Sequence, residues 1–214
     1  MRDTLFEQVS RIGKALASPK RLELIDLLCQ GEKTVEALAE GARCSVKLAS
    51  AHLKALRQAR LVEARREGKY AFYHLADAHV ADVWIHLRAL AEERLLELQT
   101  ALRSMTASDK DVVGTDRSTL LRQASRGEVI VIDVRPVEEF EAGHLPRARS
   151  LPLTELRARL RELPKDKPIV AYCRGPYCLM SSEAVALLKK RGFRAAKLAD
   201  GVAEWRAHGL PLET

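Results

Sequence analysis

No stretch of this 214-residue chain approaches the run of about 18 apolar residues that a membrane-crossing helix requires. The first residues, Met1-Arg2-Asp3-Thr4, lead into an amphipathic pattern and not into the apolar core of a signal peptide, so a cytoplasmic protein with no membrane partner is expected. Cysteine is scarce as well. Cys29, Cys44, Cys173 and Cys178 are too few for a disulfide scaffold, and in a reducing compartment they are free thiols, metal ligands or redox groups. Internal repeats and low-complexity tracts are also missing, which leaves one large domain or two of roughly 100 residues each. Two is the expectation.

What the chain has in excess is positive charge, and it is unevenly placed. The formal net charge is +7. Between residues 41 and 75 eight basic residues (Arg43, Lys47, Lys54, Arg57, Arg60, Arg65, Arg66 and Lys69) meet only Glu63 and Glu67, a local +6. Nearly all the excess therefore sits in one segment, which is the footprint of nucleic-acid contact.

That segment lies in a half that reads as helices with short stops. Ser18-Pro19 has the form of an N-cap with proline in the first turn; Leu22, Ile25, Leu28 and Cys29 follow at helical spacing, and Gly31 stops the run. A short helix fits Val35 to Glu40 after Thr34, and Ser45 caps a third, with Leu48, Ala49, Leu53 and Leu56 facing inward. Residues 61–75 then form two extended runs joined by a charged turn at Glu67-Gly68, a small hairpin. Helix, short helix, turn, helix and basic hairpin is the order of a winged helix-turn-helix. The run Ser45-Val46-Lys47-Leu48-Ala49-Ser50-Ala51-His52-Leu53-Lys54-Ala55-Leu56, followed by Ala59-Arg60-Leu61-Val62, resembles the recognition helix of the ArsR/SmtB family of bacterial repressors. The match runs through Leu75 and, more loosely, over residues 5–104. It implies that Ser45, Lys47, Ser50, His52 and Lys54 lie toward a double-stranded DNA operator and that Arg65, Arg66 and Lys69 lie along its phosphates.

Asp77 is placed to cap a long helix reaching about Ser104, with Val80, Trp84, Leu87, Ala91, Leu95, Leu98 and Leu102 spaced by three and four. Such a stripe needs a partner surface, and by the resemblance the helix over residues 78–104 pairs two subunits into a homodimer. The resemblance also raises metal sensing. The paired cysteines of some members fall here at Thr34 and Glu36; of the zinc set on the long helix Asp77, His79 and Glu93 match, but Leu90 stands where the second histidine belongs. No metal and no cofactor are expected. Cys29 and Cys44 carry no ligand spacing and are read as core residues, with a thiol sensor as the alternative.

Residues 105–111 are small, polar and without periodicity, so they read as a linker between a first domain, 1–104, and a second, 112–214. Beyond them the pattern alternates. A helix near Ser118 to Ser125, the strand Val129 to Ile132, a helix near Leu153 to Leu160, the strand ending at Tyr172, a helix from Ser181 to Arg191, the strand Ala195 to Leu198 and a short helix around Trp205 make an α/β domain with a parallel sheet.

Cys173 opens the loop Cys173-Arg174-Gly175-Pro176-Tyr177-Cys178 directly after the apolar run Ile169-Val170-Ala171-Tyr172. A thiol between a buried strand and a helix N-terminus is a nucleophile placement, because unpaired N–H groups and the helix dipole stabilise its thiolate. This loop, together with Asp133-Val134-Arg135, Gly143-His144-Leu145-Pro146 and Asp200-Gly201-Val202-Ala203-Glu204-Trp205, resembles the rhodanese family. The resemblance implies that Cys173 attacks a sulfane sulfur donor such as thiosulfate, holds the sulfur as a persulfide and passes it to a thiol acceptor. It implies that the loop's backbone N–H groups form a nest around the sulfur, that Arg174 adds a cation if it turns inward, and that Asp133 and Arg135 hold the neighbouring loop.

Two departures from the family stand out. Pro176 offers no N–H where glycine is common, and Ser150 replaces an asparagine before Leu151-Pro152. Either change fits a slow enzyme or a loop tuned to one donor. Cys178 has two readings: a thiol that resolves the Cys173 persulfide into a disulfide, or a small apolar packing group. The expected protein is a dimeric winged helix-turn-helix regulator followed by a rhodanese-type sulfurtransferase domain, with sulfane sulfur chemistry at Cys173 coupled to transcription. The alternatives are a sulfurtransferase with an autoregulatory DNA-binding domain, and a regulator on an inactive rhodanese scaffold.

Overall fold

The computed structural model describes residues 2–106, 112–113 and 116–214, and the chain divides between Arg88 and Ala89 into two compact units. The first begins with α1 (Arg2–Leu16), α2 (Pro19–Leu28), β1 (Lys33–Thr34), α3 (Val35–Gly41), α4 (Val46–Gln58) and the hairpin β2 (Val62–Glu67) and β3 (Tyr70–Leu75). The three strands form an antiparallel sheet in the order β1-β3-β2. Local chemistry sets the helix starts. Thr34 Oγ1 accepts from the Ala37 N–H and Ser45 Oγ from the Leu48 N–H, both at 3.2 Å, whereas Ser18 contributes only its extended backbone and the Pro19 that follows. Leu24, Ile25, Leu38, Leu53 and Leu56 are fully buried between these helices. Leu48, expected to face inward, is instead 42% exposed, because the inward stripe of α4 runs through Ala49, Leu53 and Leu56 and leaves Leu48 on its flank.

The helix expected to run unbroken to Ser104 is two helices, α5 (Ala78–Arg94) and α6 (Leu96–Thr106), interrupted at Leu95. Gln99 occupies the break: its Nε2 donates to the carbonyls of Glu92 and Glu93 at 2.9 and 3.2 Å, so a side-chain amide serves carbonyls at the end of α5. Near the start of α5, Trp84 Nε1 donates to Asp26 Oδ1 at 2.8 Å and ties this helix to α2. Met105 and Thr106, expected in the linker, are the last residues of α6; residues 107–111 of that expected linker lie outside the described residues.

The second unit continues with β4 (Val112–Val113), α7 (Arg117–Ser125), β5 (Ile130–Asp133), α8 (Val137–Glu141), β6 (Arg149–Ser150), α9 (Leu153–Arg159), a 3-10 turn (Leu160–Glu162), β7 (Ile169–Tyr172), α10 (Met180–Lys190), β8 (Ala195–Leu198) and α11 (Val202–Ala207). Five strands form a fully parallel sheet in the order β4-β8-β7-β5-β6. Both faces are covered, which is why its central strands read as unbroken apolar runs. Ile130, Ile132, Ile169 and Ala171 point to one face, under Leu156 of α9 and Ala184 and Leu188 of α10. Val131, Val170, Tyr172 and Leu198 point to the other, under Leu120 of α7 and Trp205 of α11. This alternation carries Cys173, the first residue past β7, onto the α10 side.

Candidate functional site

The strand end and the helix start meet at one sulfur. Cys173 is 1% exposed, and its Sγ lies 3.2 Å from Ser181 Oγ in the first turn of α10 and 3.5 Å from the Cys178 carbonyl. The Cys173 thiol is pushed down to about 6, chiefly because the Cys178 thiol donates to it, and further by the Ser181 hydroxyl and the N–H groups of Ser181 and Gly175, which together outweigh burial. Cys178 is held well above the ordinary thiol range by the same contact, so it remains the protonated partner while Cys173 ionises. A thiolate and a thiol placed this way can accept sulfur on one member and be attacked by the other.

The loop's shape depends on two glycines. Gly175 has φ of 128°, and a Cβ there would stand 2.9 Å from a Glu204 carboxylate oxygen. At Gly201 a Cβ would fall 2.6 Å from the Arg174 carbonyl carbon, so the loop's backbone rests directly on the start of α11. Glu204 closes that start by accepting from the Gly201 N–H at 2.6 Å. Gly175 is buried, Pro176 and Tyr177 are half-buried, and the turn is closed by the Cys178 N–H donating to the Gly175 carbonyl at 3.1 Å.

Arg174 is committed to the short helix α8. Its Nε donates to the two carboxylate oxygens of Glu139 at 3.1 and 3.0 Å, and its Nη2 donates to Oε1 at 2.7 Å. Asp133 and Arg135 are both fully buried: Arg135 Nη2 reaches Asp133 Oδ2 at 2.6 Å and the Gly143 carbonyl at 2.8 Å. They fasten the end of β5 to the Gly143-His144 segment, and the Leu145 N–H in turn donates to the Tyr172 hydroxyl at 3.1 Å. Ser150 Oγ, standing where a relative's asparagine would be, is buried with no hydrogen-bond partner among the described residues. Glu139, Ser181 and Glu204 were not among the expected site residues. Only Glu204 fell within a recognised motif, and nothing in that motif pointed its side chain at the loop.

The residues expected to meet DNA form a second group. Ser45, Lys47, Ser50 and Lys54 of α4 are exposed, His52 is half-buried, and Arg65, Arg66 and Lys69 are exposed on the hairpin. Arg65 differs from the rest: its Nε lies 2.9 Å from each Glu32 carboxylate oxygen, Nη1 donates to Glu67 at 2.6 Å, and its guanidinium sits 4.7 Å from the Phe72 ring centroid. These carboxylates, Glu32 foremost, raise its pKa and offset its charge. Among the described residues no group of His, Cys, Asp and Glu is arranged to hold a metal ion, and no helix is long and apolar enough to cross a membrane.

Comparison with known families gives two matches: the arsR family of bacterial regulatory proteins over residues 18–64 and the rhodanese-like domain over residues 116–208. An HTH-type transcriptional regulator of Mycobacterium tuberculosis is 44% identical over 209 residues, covering 98% of this chain and 92% of that protein. A sulfurtransferase of Allochromatium vinosum is 36% identical over 92 residues, 42% of this chain and 84% of its own length. The solution structure of a homodimeric winged helix-turn-helix domain from Mycobacterium bovis, described as a possible ArsR-family regulator, is 44% identical over 45% of this chain and 89% of that domain, with a TM-score of 0.42.

Proposed function

Because this chain belongs to the ArsR family of bacterial regulatory proteins and carries a rhodanese-like domain, we propose that sulfane sulfur bound at Cys173 changes its affinity for an operator. The observation that carries the reading is the placement of the Cys173 sulfur, buried at the strand end 3.2 Å from Ser181 Oγ in the first turn of α10 and enclosed by the loop that brings Cys178 back to it. The Cys173 thiolate attacks the outer sulfur of the donor, the donor's S–S bond breaks, and Cys173 keeps the sulfur as a persulfide while the remainder leaves with the electron pair. Cys178 then attacks the inner sulfur. A Cys173–Cys178 disulfide forms and hydrogen sulfide departs, the transferred sulfur having served as oxidant.

Ser45, Lys47, Ser50, His52 and Lys54 enter the major groove in this reading, with Arg66 and Lys69 on the phosphates and Arg65 contributing less because of Glu32 and Glu67. Exposed Val83, Leu87 and Leu90 on α5, with Leu95 and Leu96 at the break, support pairing of two copies. An operator-binding protein of this kind works in the cytoplasm.

Operator binding by the full chain, measured by fluorescence anisotropy with and without a hydropersulfide donor, tests the coupling. Wild type is expected to shift about tenfold in affinity and Cys173→Ala not at all. An affinity indifferent to the donor in both proteins would remove the reading. The likeness to a sulfurtransferase favours a second one, in which transfer is the primary task; rapid multiple turnover to a thiol acceptor, with operator affinity unchanged, would establish it instead.

A further inference from the structure

Arg174 is the only cation in the six-residue loop from Cys173 to Cys178. It is spent on Glu139, which is 2% exposed and engages the guanidinium through both carboxylate oxygens. Glu204, also buried, lies against Gly175 on the α11 side of the loop. Lys197 of β8, with its Nζ donating to Ser182 Oγ at 3.0 Å, and Arg135, paired with Asp133 at 2.6 Å, are further cations of this neighbourhood, both buried. Among these described residues three cations, Arg135, Arg174 and Lys197, stand with three carboxylates, Asp133, Glu139 and Glu204, and the Cys173 thiolate is the surplus charge. A donor carrying two negative charges must approach that thiolate with no surplus cation to receive it, in a buried setting where like charges repel far more than in water.

We propose that Glu139, by neutralising Arg174, sets the donor class of the Cys173 site, which accepts alkyl hydropersulfides, bearing at most one negative charge on sulfur, in preference to the thiosulfate dianion. The selection rests on the reading of Cys173 as the sulfur acceptor. With a hydropersulfide the thiolate takes the terminal sulfur, the donor's S–S bond breaks and an alkyl thiolate leaves with the bonding pair. With thiosulfate the same attack expels sulfite, a dianion formed beside the negative persulfide. Glu139 touches neither sulfur nor donor; it is a positioning residue that acts through Arg174.

The test follows the gain of one sulfur atom on Cys173 by intact mass, using reduced full-length protein with cysteine hydropersulfide or thiosulfate as the donor. Glu139→Gln keeps the side-chain shape and leaves Arg174 charged, so thiosulfate loading is expected to rise about tenfold while hydropersulfide loading changes by less than about threefold. A second measurement needs only the wild type: added salt should speed thiosulfate loading, as between like charges, and leave hydropersulfide loading much less affected. Thiosulfate loading that slows with salt, or a donor ratio unchanged in Glu139→Gln, overturns the selection. Failure of both donors to load Cys173 is a separate result, which removes the acceptor reading and the selection together.

Discussion

Ser45, Lys47, Ser50 and Lys54 project into solvent from a helix whose opposite side is packed, while in the second unit Cys173, Asp133 and Arg135 are sealed beneath a loop and a sheet end. The first group is a set of side chains on a prepared surface, so each member can change without disturbing the scaffold. In the second, the acidity of Cys173 comes from the Cys178 thiol, the Ser181 hydroxyl and backbone N–H groups, and its position from a left-handed glycine and buried ion pairs, so reactivity and stability are altered together. The proposed binding side chains are separable from the fold where water is the neighbour, and the proposed sulfur site is inseparable from it where protein is.

The sharpest break of this contrast is Asp133→Ala. It leaves Arg135 as an uncompensated buried charge and should cost about 3–5 kcal/mol, read from chemical denaturation of the full chain. Gly201→Ala should follow at about 2 kcal/mol, because its Cβ meets loop backbone that has no free rotamer to yield, and it should also abolish sulfur loading at Cys173. Cys178→Ala tests the electrostatics without a backbone clash. Alkylation proceeds through the thiolate and rises with pH through the thiol's pKa, so wild type should show an inflection near pH 6. Removing the largest stabiliser of the thiolate must move that inflection to higher pH; an unmoved profile would return Cys178 to a packing role. On the exposed side, Arg66→Ala should leave stability within about 0.5 kcal/mol while lowering the salt dependence of operator binding by about one ion per subunit. The smallest effect is expected at Ser150→Ala, which removes a buried hydroxyl without a partner and should raise stability by up to about 1 kcal/mol.

What the sequence made legible follows the same division. Helix caps at Thr34 and Ser45, the hairpin and the apolar strands β5, β7 and β8 were readable, because a few neighbouring residues fix each of them. Cys173 was readable from its place between a strand and a helix. The five-residue α8 and the two-residue strands β4 and β6 are too short to carry a period, and they exist because the sheet and the cysteine loop hold them. Glu139 belongs to α8 and was missed with it. The inward aim of Glu204 depends on the close approach of Gly175 and Gly201 across the fold, which no spacing encodes. The interruption at Leu95 was hidden for a different reason: the apolar spacing continues through it, and what marks it is the reach of the Gln99 side chain back to two carbonyls.

The seat of the cysteine loop on Gly201 makes the last stretch of the chain answerable for an acidity generated some thirty residues upstream. A protein clipped after Leu198 would still contain Cys173 and the Cys178 and Ser181 side chains that lower its pKa, yet it would have lost the floor that keeps them assembled. The thiol's reactivity is in that sense a readout of an intact carboxyl-terminal end.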